Sequence, residues 1–162
     1  MDAGSLPVTP HNVSIMLRPD GRVFIEVLSQ PHTGAWITDG FPIVLAGLED
    51  AVILGQAILD GLERSTYDVY SADELRSRPT LDELYAWAGV RNWKQYTKGS
   101  KSVSVYSRYA VAPPTSANIS PEERERSGAY APIDDAYREG VHFESAEELG
   151  RLVQEAMNDA RA

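Results

Sequence analysis

The chain has 162 residues, a formal net charge of -9 and no cysteine. This length is enough for one domain with a sizeable core. The lack of cysteine excludes disulfides, thiolate nucleophiles and cysteine-ligated metal sites. The acidic balance disfavours a general surface for nucleic acid or for an anionic membrane, and it favours a cationic partner.

The hydropathy of the sequence argues against a membrane-spanning helix and a secretory leader. No apolar run approaches the roughly 20 residues that span a bilayer, and the first residues do not have the basic and apolar regions of a secretory leader. We therefore expect a cytoplasmic protein that does not contact a membrane.

The first predicted unit, residues 12 to 65, reads as a sheet followed by a helix. Residues 12 to 18 and 22 to 29 have strand-like apolar spacing around Pro19-Asp20-Gly21, a sequence typical of a tight turn. Residues 35 to 38 and 41 to 45 predict further strands. Asp50 can cap the next exposed backbone amides, so a helix is expected from there to about Ser65.

The middle segment, residues 66 to 101, predicts two short helices. Ser71 and Thr80 are each followed three residues later by a glutamate, which is the capping-box pattern. Tryptophan and tyrosine recur through this segment, and its last part is basic. We treat it as a helical insert.

The second unit, residues 102 to 162, begins with a strand over residues 102 to 108. A longer loop follows over residues 113 to 128, in which Ser120 with Pro121 predicts the start of a helix. A short strand is expected over residues 140 to 143. Ser145 then predicts the cap of a closing helix.

The two units resemble each other. Residues 49 to 62 recur as residues 144 to 157, residues 13 to 18 recur as 103 to 108, and Gly34-Ala35-Trp36 recurs as Gly128-Ala129-Tyr130. Self-similarity of this kind indicates a duplicated unit. The expected fold is α+β: one domain over residues 1 to 162, with antiparallel strands from two related halves, each closed by a helix, and the helical insert between them.

The sequence does not assemble a catalytic or metal-binding set. His11, His32 and His142 lack metal-ligand spacing and lie near no nucleophile motif. We predict no catalytic residue, no cofactor and no metal.

Acids and aromatics interleave at two places instead. Aromatic side chains anchor protein interfaces, and carboxylates steer a basic partner towards them. The alternative is that Trp36 and Tyr130 pack beneath their own loops and that the acids are solvated surface. As partner-binding residues we predict Trp36, Asp39, Asp134, Asp135, Tyr137 and Glu139, and in the longer loop Glu122, Glu123 and Glu125.

These residues together resemble a family of small bacterial immunity proteins found beside toxins of contact-dependent growth inhibition systems. The resemblance depends on the Gly-Ala-Trp36 turn, the helix over residues 51 to 58 followed by residues 63 to 65, the insert rich in Trp and Tyr, the strand over residues 101 to 108, and the closing helix over residues 145 to 157. The sequence departs from the pattern where Tyr130 replaces a second tryptophan, and where the loop over residues 113 to 128 is enlarged.

The resemblance implies a protein that binds the toxic C-terminal domain of a cognate effector, often a nuclease, and blocks it without chemistry of its own. Two other classes of function stay open. One is a small enzyme or ligand-binding domain with Trp36, Tyr85, Trp87 and Trp93 around a pocket. The other is an adaptor that uses Lys94, Lys98 and Lys101 to contact acids or phosphate.

Overall fold

The computed structural model describes residues 8–31, 34–68, 71, 73–74, 79–109 and 111–162. This part of the chain folds into an antiparallel sheet of 8 strands with 4 helices, which is the expected α+β class. In chain order the elements are β1 (Thr9–Leu17), β2 (Val23–Ser29), β3 (Ile37–Thr38), β4 (Ile43–Leu45), α1 (Ala51–Arg64), α2 (Leu81–Ala88), α3 (Trp93–Tyr96), β5 (Lys101–Tyr109), β6 (Ser116–Arg124), β7 (Tyr130–Pro132), a 3₁₀ turn (Asp134–Ala136), β8 (Arg138–His142) and α4 (Ala146–Asp159).

The sheet has the strand order β3-β2-β1-β5-β6-β7, with β4 also pairing with β2 and β8 with β6. Its two central strands, β1 and β5, pair over their full length from Thr9 opposite Tyr109 to Leu17 opposite Lys101. The sheet is curled. Among the described helices, none is long and apolar enough to cross a membrane.

The strand pairing is symmetric about the centre of the sheet. Ser14 lies opposite Ser104, and on either side Val13 lies opposite Val105 while Ile15 lies opposite Val103. β2 flanks β1 as β6 flanks β5, and short strands complete each outer edge. The two predicted halves thus occupy corresponding positions in the sheet. This is the arrangement that a duplicated unit requires, and the relatedness of the halves stays a prediction.

The two long helices begin where the sequence predicts. The Asp50 carboxylate accepts hydrogen bonds from the backbone amides of Val52 and Ile53, both at 3.1 Å. The Ser145 hydroxyl accepts one from the amide of Glu148 at 3.1 Å. Each cap satisfies amides that the first helical turn leaves without a partner.

α1 and α4 pack on one face of the sheet and contact each other through glycines. A Cβ atom built on Gly55 of α1 would overlap the carbonyl oxygen of Ala146 in α4, and one built on Gly150 would overlap the carbonyl oxygen of Ala51. Each helix therefore places a glycine against the first residue of the other helix. The glycines are needed because two backbones approach too closely to leave room for a side chain.

The hydrophobic core fills the space between these helices and the sheet. Alternate residues of the strands point into the core, among them Val13, Ile15 and Ile119. The helices contribute Leu54 and Leu149. All five side chains are fully buried. This alternation places residues such as Ser14 and Ser104 on the opposite face of the sheet.

The insert covers part of that opposite face. The Thr80 hydroxyl and the Glu83 carboxylate form the predicted capping box at the start of α2. Leu84 of α2 and Tyr96 of α3 pack with Met16 and Phe24 of the sheet in a second, smaller apolar cluster. The other predicted short helix, which begins at Ser71, lies mostly outside the described residues.

The helix predicted from Ser120 is wrong, because this segment is the middle of β6. Val103 of β5 lies directly opposite Pro121, and the Pro121 carbonyl accepts a hydrogen bond from the amide of Ile133 on the outer side of β6. In a strand, the N–H and C=O of one residue point to the same side. The missing N–H of Pro121 therefore faces away from β5, and pairing between β5 and β6 loses nothing.

Candidate binding cleft and acidic edge

The face of the sheet opposite the long helices carries a row of polar side chains. Glu26 lies opposite Ser14 on β1, Ser14 lies opposite Ser104 on β5, and Ser104 lies opposite Ser120 on β6. Directly opposed residues of antiparallel strands point to the same face. One polar residue from each of four neighbouring strands therefore lies in line. We call this side the open face.

A cleft of about 310 Å³ lies over the open face. Three aromatic side chains line it: Trp36 before β3, Trp93 at the start of α3, and Tyr130 at the start of β7. Trp36 and Tyr130 come from opposite ends of the strand order, and the curl of the sheet brings them to the same cleft. The other lining residues are Ser14, Met16, Glu26, Leu28, Thr38, Ser102, Glu122 and Ala129. We call this site the aromatic cleft.

Glu26 is the most buried acid of the aromatic cleft, with 3% of its surface exposed. One of its carboxylate oxygens accepts a hydrogen bond from the Tyr96 hydroxyl. The other oxygen, Oε2, has no hydrogen-bond partner among the described residues. Burial raises the pKa of Glu26 to about 7, while the Tyr96 hydroxyl and the positive charge of Arg18 oppose the rise.

Glu122 is the second acid of the cleft, and it belongs to a chain of hydroxyl contacts. Its carboxylate accepts a hydrogen bond from the Ser102 hydroxyl at 2.7 Å, and the Ser102 hydroxyl lies 3.0 Å from that of Ser14. Burial raises the pKa of Glu122, and the Ser102 hydrogen bond partly opposes this. The two acids thus approach the cleft from β2 and β6, with the serines of β1 and β5 between them.

The aromatic cleft combines hydrogen-bond acceptors with apolar walls. Its described lining residues supply carboxylates, hydroxyls, aromatic rings and aliphatic groups, and none of them is a lysine, arginine or histidine. The described residues contain no group of three or more His, Asp or Glu side chains that could hold a metal ion. Hydrogen-bond acceptors surrounded by apolar walls recognise a donor group on an apolar body.

The structure separates the predicted partner-binding residues into groups. Trp36 lines the aromatic cleft, with its ring 6.3 Å from that of Tyr106 in an edge-on contact. Asp39 is 7% exposed and accepts a hydrogen bond from the Ser29 hydroxyl at 2.7 Å. Asp39 is thus held within the fold in the free protein, and its carboxylate does not form part of an exposed acidic surface.

Most of the other predicted acids lie at the far edge of the sheet. Asp134 and Asp135 form the exposed 3₁₀ turn between β7 and β8. A depression of about 330 Å³ beside this turn is lined by Asp135 and Tyr137 together with Arg138 and Arg161. We define the acidic edge as the exposed residues Glu123, Glu125, Asp134, Asp135, Tyr137 and Glu139.

The acidic edge contains its own cations. Arg161 lies 3.8 Å from the Glu123 carboxylate, and Arg138 lies 3.4 Å from that of Glu155 on α4. Surface pairs of this kind contribute little to stability. Asp134, Asp135 and Glu139 are exposed and form no salt bridge with another of the described residues.

The residues named for the ligand-binding and adaptor functions also lie at separate places in the structure. Trp36 and Trp93 line the aromatic cleft, whereas Tyr85 packs against Tyr96 with ring centres 6.3 Å apart. Trp87 is 47% exposed and lies beside Phe41, with ring centres 5.9 Å apart. The basic residues Lys94 and Lys98 are exposed.

Sequence reasoning did not single out Glu26, Ser14 or Ser102. The sequence does contain a signal for Glu26, because it is the one charged residue in the apolar strand β2. A charge in such a strand indicates a side chain directed to a polar face or buried with a partner. What the sequence did not reveal is the partner, because Tyr96 comes from the distant insert.

No family model and no curated protein matches the chain. Among the solved structures that share its fold, two are compared with it. A protein of unknown function from Neisseria meningitidis superposes with a TM-score of 0.74 at 20% identity, over 94% of this chain and 96% of that one. A chain of the CdiA-CT/CdiI toxin and immunity complex from Yersinia pseudotuberculosis superposes with a TM-score of 0.67 at 14% identity, over 94% of this chain and 98% of that one.

Proposed function

We propose that this protein is an immunity protein, which binds the C-terminal toxin domain of a cognate contact-dependent inhibition effector and neutralises it in the cytoplasm. The observation that carries the proposal is the match to a chain of a toxin and immunity complex, which extends over 94% of this protein. The match extends over 98% of the other chain as well, so the likeness is to a whole chain rather than to a common motif.

The proposed mechanism is binding alone. An inhibitor of this kind covers the surface that the toxin needs, so it requires no nucleophile, metal or cofactor. Its affinity comes from a few desolvated anchors, and its association rate comes from complementary charge. The net charge of -9 suits a basic target, and we propose a nuclease, because a site that binds nucleic acid is positively charged.

The acidic edge is the surface that we propose for this contact. It places Asp134 and Asp135 in solvent beside Tyr137, which is 44% exposed. An exposed aromatic ring next to unpaired charges combines an anchor with steering. Glu122 and Trp36, which sequence reasoning assigned to the same function, belong to the aromatic cleft and would act only where a partner reaches into it.

The proposal predicts a secreted effector encoded immediately upstream, and the test uses the toxin domain of that effector. We expect Asp134→Ala with Asp135→Ala to weaken toxin binding at least about tenfold, mainly through slower association, and to leave unfolding almost unchanged. Association and dissociation rates at two salt concentrations measure this. Survival of cells that express the toxin gives the direct functional result.

The matched control is Asp60→Ala with Glu63→Ala on α1, which removes the same charge from another exposed surface. If control and test variants lose equal affinity, the acidic edge is only solvated surface. If the unaltered protein neither binds the toxin domain nor protects the cells, or if the neighbouring genes form a metabolic operon, the immunity function itself is wrong.

A second candidate function is a small ligand-binding domain, and the aromatic cleft favours it. A volume of about 310 Å³ is at the lower end of the range for ligand pockets. Convergent polar groups in a concave aromatic site are the feature that distinguishes this function from a flat protein-binding surface.

A further inference from the structure

The aromatic cleft contains a buried hydrogen-bond acceptor without a donor. Oε2 of Glu26 is enclosed and unpaired among the described residues, in a side chain of which 3% is exposed. A buried polar atom without a partner is costly, and proteins seldom keep one. Where it lines a concavity, as here, the missing donor can come from a ligand.

The charge of the cleft is unbalanced as well. Glu26 and Glu122 both line it, and no lysine or arginine is among the described residues that line it. Arg18 acts on Glu26 through its charge, but it does not line the cleft: it donates to the Tyr96 carbonyl and lies over the rings of Phe24 and Tyr96, at 5.0 and 5.2 Å. Two carboxylates therefore meet in the cleft without a basic side chain among its described lining residues.

Its walls suit an organic cation better than a hydrated inorganic one. Trp36, Trp93 and Tyr130 present aromatic surface, and Met16 and Leu28 add aliphatic surface. Aromatic faces attract alkylammonium and guanidinium groups, with tryptophan the strongest. Inorganic divalent cations prefer several converging oxygen ligands instead.

We propose that the aromatic cleft binds an organic cation, a primary ammonium or guanidinium group on a short apolar stem. The cationic head donates hydrogen bonds to Glu26 and Glu122, and the stem lies between the aromatic side chains. The proposal goes beyond the immunity function, since the same group occurs in free amines and in the lysine or arginine side chain of a bound protein.

The experiment titrates the full chain with butylammonium, butylguanidinium and neutral 1-butanol, followed by backbone amide chemical shifts. We expect both cations to bind with a Kd on the order of 1 mM and to shift amides of β2 and β6, because ligands this small gain little binding energy. Butanol has the same stem without the charge, and we expect its binding to be about tenfold weaker. Equal binding of all three would show an apolar cleft only and would overturn the proposal.

Variants locate the site. Glu122→Gln keeps the shape of the side chain and removes its charge, so we expect about tenfold weaker cation binding. Trp36→Leu keeps an apolar side chain without the aromatic face, so we expect about threefold weaker cation binding. Glu63→Gln, at an exposed position of α1 outside both proposed sites, is the matched control and should bind as the unaltered chain does. No cation binding at about 100 mM, or equal loss in Glu122→Gln and Glu63→Gln, contradicts the proposal.

A competition experiment distinguishes the two sources of the cation. If butylguanidinium displaces the toxin domain in proportion to its occupancy of the cleft, the natural ligand is a side chain of the bound partner. If the cation and the toxin bind together, the ligand is a free amine. Cation binding without any toxin binding supports this proposal and rejects only the immunity function.

Discussion

The two faces of the central sheet differ in chemistry although they share the same strands. The face that packs against α1 and α4, which we call the helix face, excludes solvent. Its residues on β1 and β5 have no exposed surface: Val13, Ile15, Val103 and Val105. The open face carries Glu26, Ser14, Ser102 and Ser104 at the intervening positions. One face therefore contributes most of the burial that stabilises the fold, and the other keeps polar groups that can recognise a ligand.

The predicted halves differ mainly on the open face. Across the symmetric centre of the sheet, Ile25 of β2 corresponds to Ile119 of β6, and both are fully buried against the helices. One position further along each strand, on the open face, Glu26 corresponds to Ser120. The helix face tolerates little change because it is close-packed. This difference between corresponding positions of the open face makes the cleft asymmetric, with two acids of different depth.

Substitution of the contact glycines is expected to have the largest effect on stability. Gly55→Ala or Gly150→Ala forces a methyl group onto a backbone carbonyl of the neighbouring helix. Such overlap can be relieved only by separating α1 from α4, so we expect each change to reduce the free energy of unfolding by about 4 kcal/mol. Urea denaturation followed by circular dichroism measures it.

Gln56→Ala is the control for this substitution, since Gln56 is the next residue of α1 and its side chain is exposed. It should change stability by no more than about 0.5 kcal/mol. A similarly small effect of Gly55→Ala would show that the helix face is loosely packed, and the contrast between the two faces would fail.

A paired substitution sharpens the comparison of the halves. Leu54 and Leu149 are both fully buried in the core, one from each long helix. Leu54→Ala and Leu149→Ala should each cost about 3 kcal/mol, because each leaves a cavity in a close-packed region. Similar losses in chemical denaturation are expected if the two environments are equivalent. A difference above about 1.5 kcal/mol would argue against the predicted relatedness.

Local chemistry explains which elements the sequence predicted. The caps at Asp50, Thr80 and Ser145 depend on a side chain and on backbone amides two or three residues away, so a single stretch of sequence contains the whole signal. The strand β6 was mistaken for a helix start because Ser120-Pro121 has the same local pattern. Its true state depends on pairing with β5, which local sequence does not show.

The candidate sites were predictable to a smaller extent. Exposure of Asp134 and Asp135 followed from their polar neighbours, and Trp36 was predicted as a binding residue in an aromatic turn. The burial of Asp39 involves a hydrogen bond from Ser29 on another strand, and the position of Glu122 in a cleft depends on the curl of the sheet. The hydrogen bond between Tyr96 and Glu26 joins residues 70 positions apart, and no pattern within either segment indicates it.

The open face also predicts how stability depends on pH. Burial holds the pKa of Glu26 at about 7 in the folded protein, while the unfolded chain has the ordinary pKa of about 4.3. Between these values the folded state binds more protons than the unfolded state, so stability falls as pH rises. The full contribution of the protonated form is present at low pH and is lost as pH rises towards the folded pKa.

Glu26→Gln isolates this effect, because glutamine is uncharged and retains an acceptor for the Tyr96 hydroxyl. From about pH 5.5 to pH 7, the unaltered protein should lose about 1.5 kcal/mol of unfolding free energy relative to the variant, because the slope of about 1.4 kcal/mol per pH unit decreases as the pH approaches the folded pKa. Glu122, Arg18 and Tyr96 are present in both proteins, so their contributions largely cancel in the difference. Denaturation curves at several pH values measure it. Parallel curves for the two proteins would mean that Glu26 is already ionised when folded, with water or an ion at Oε2, and that burial does not raise its pKa.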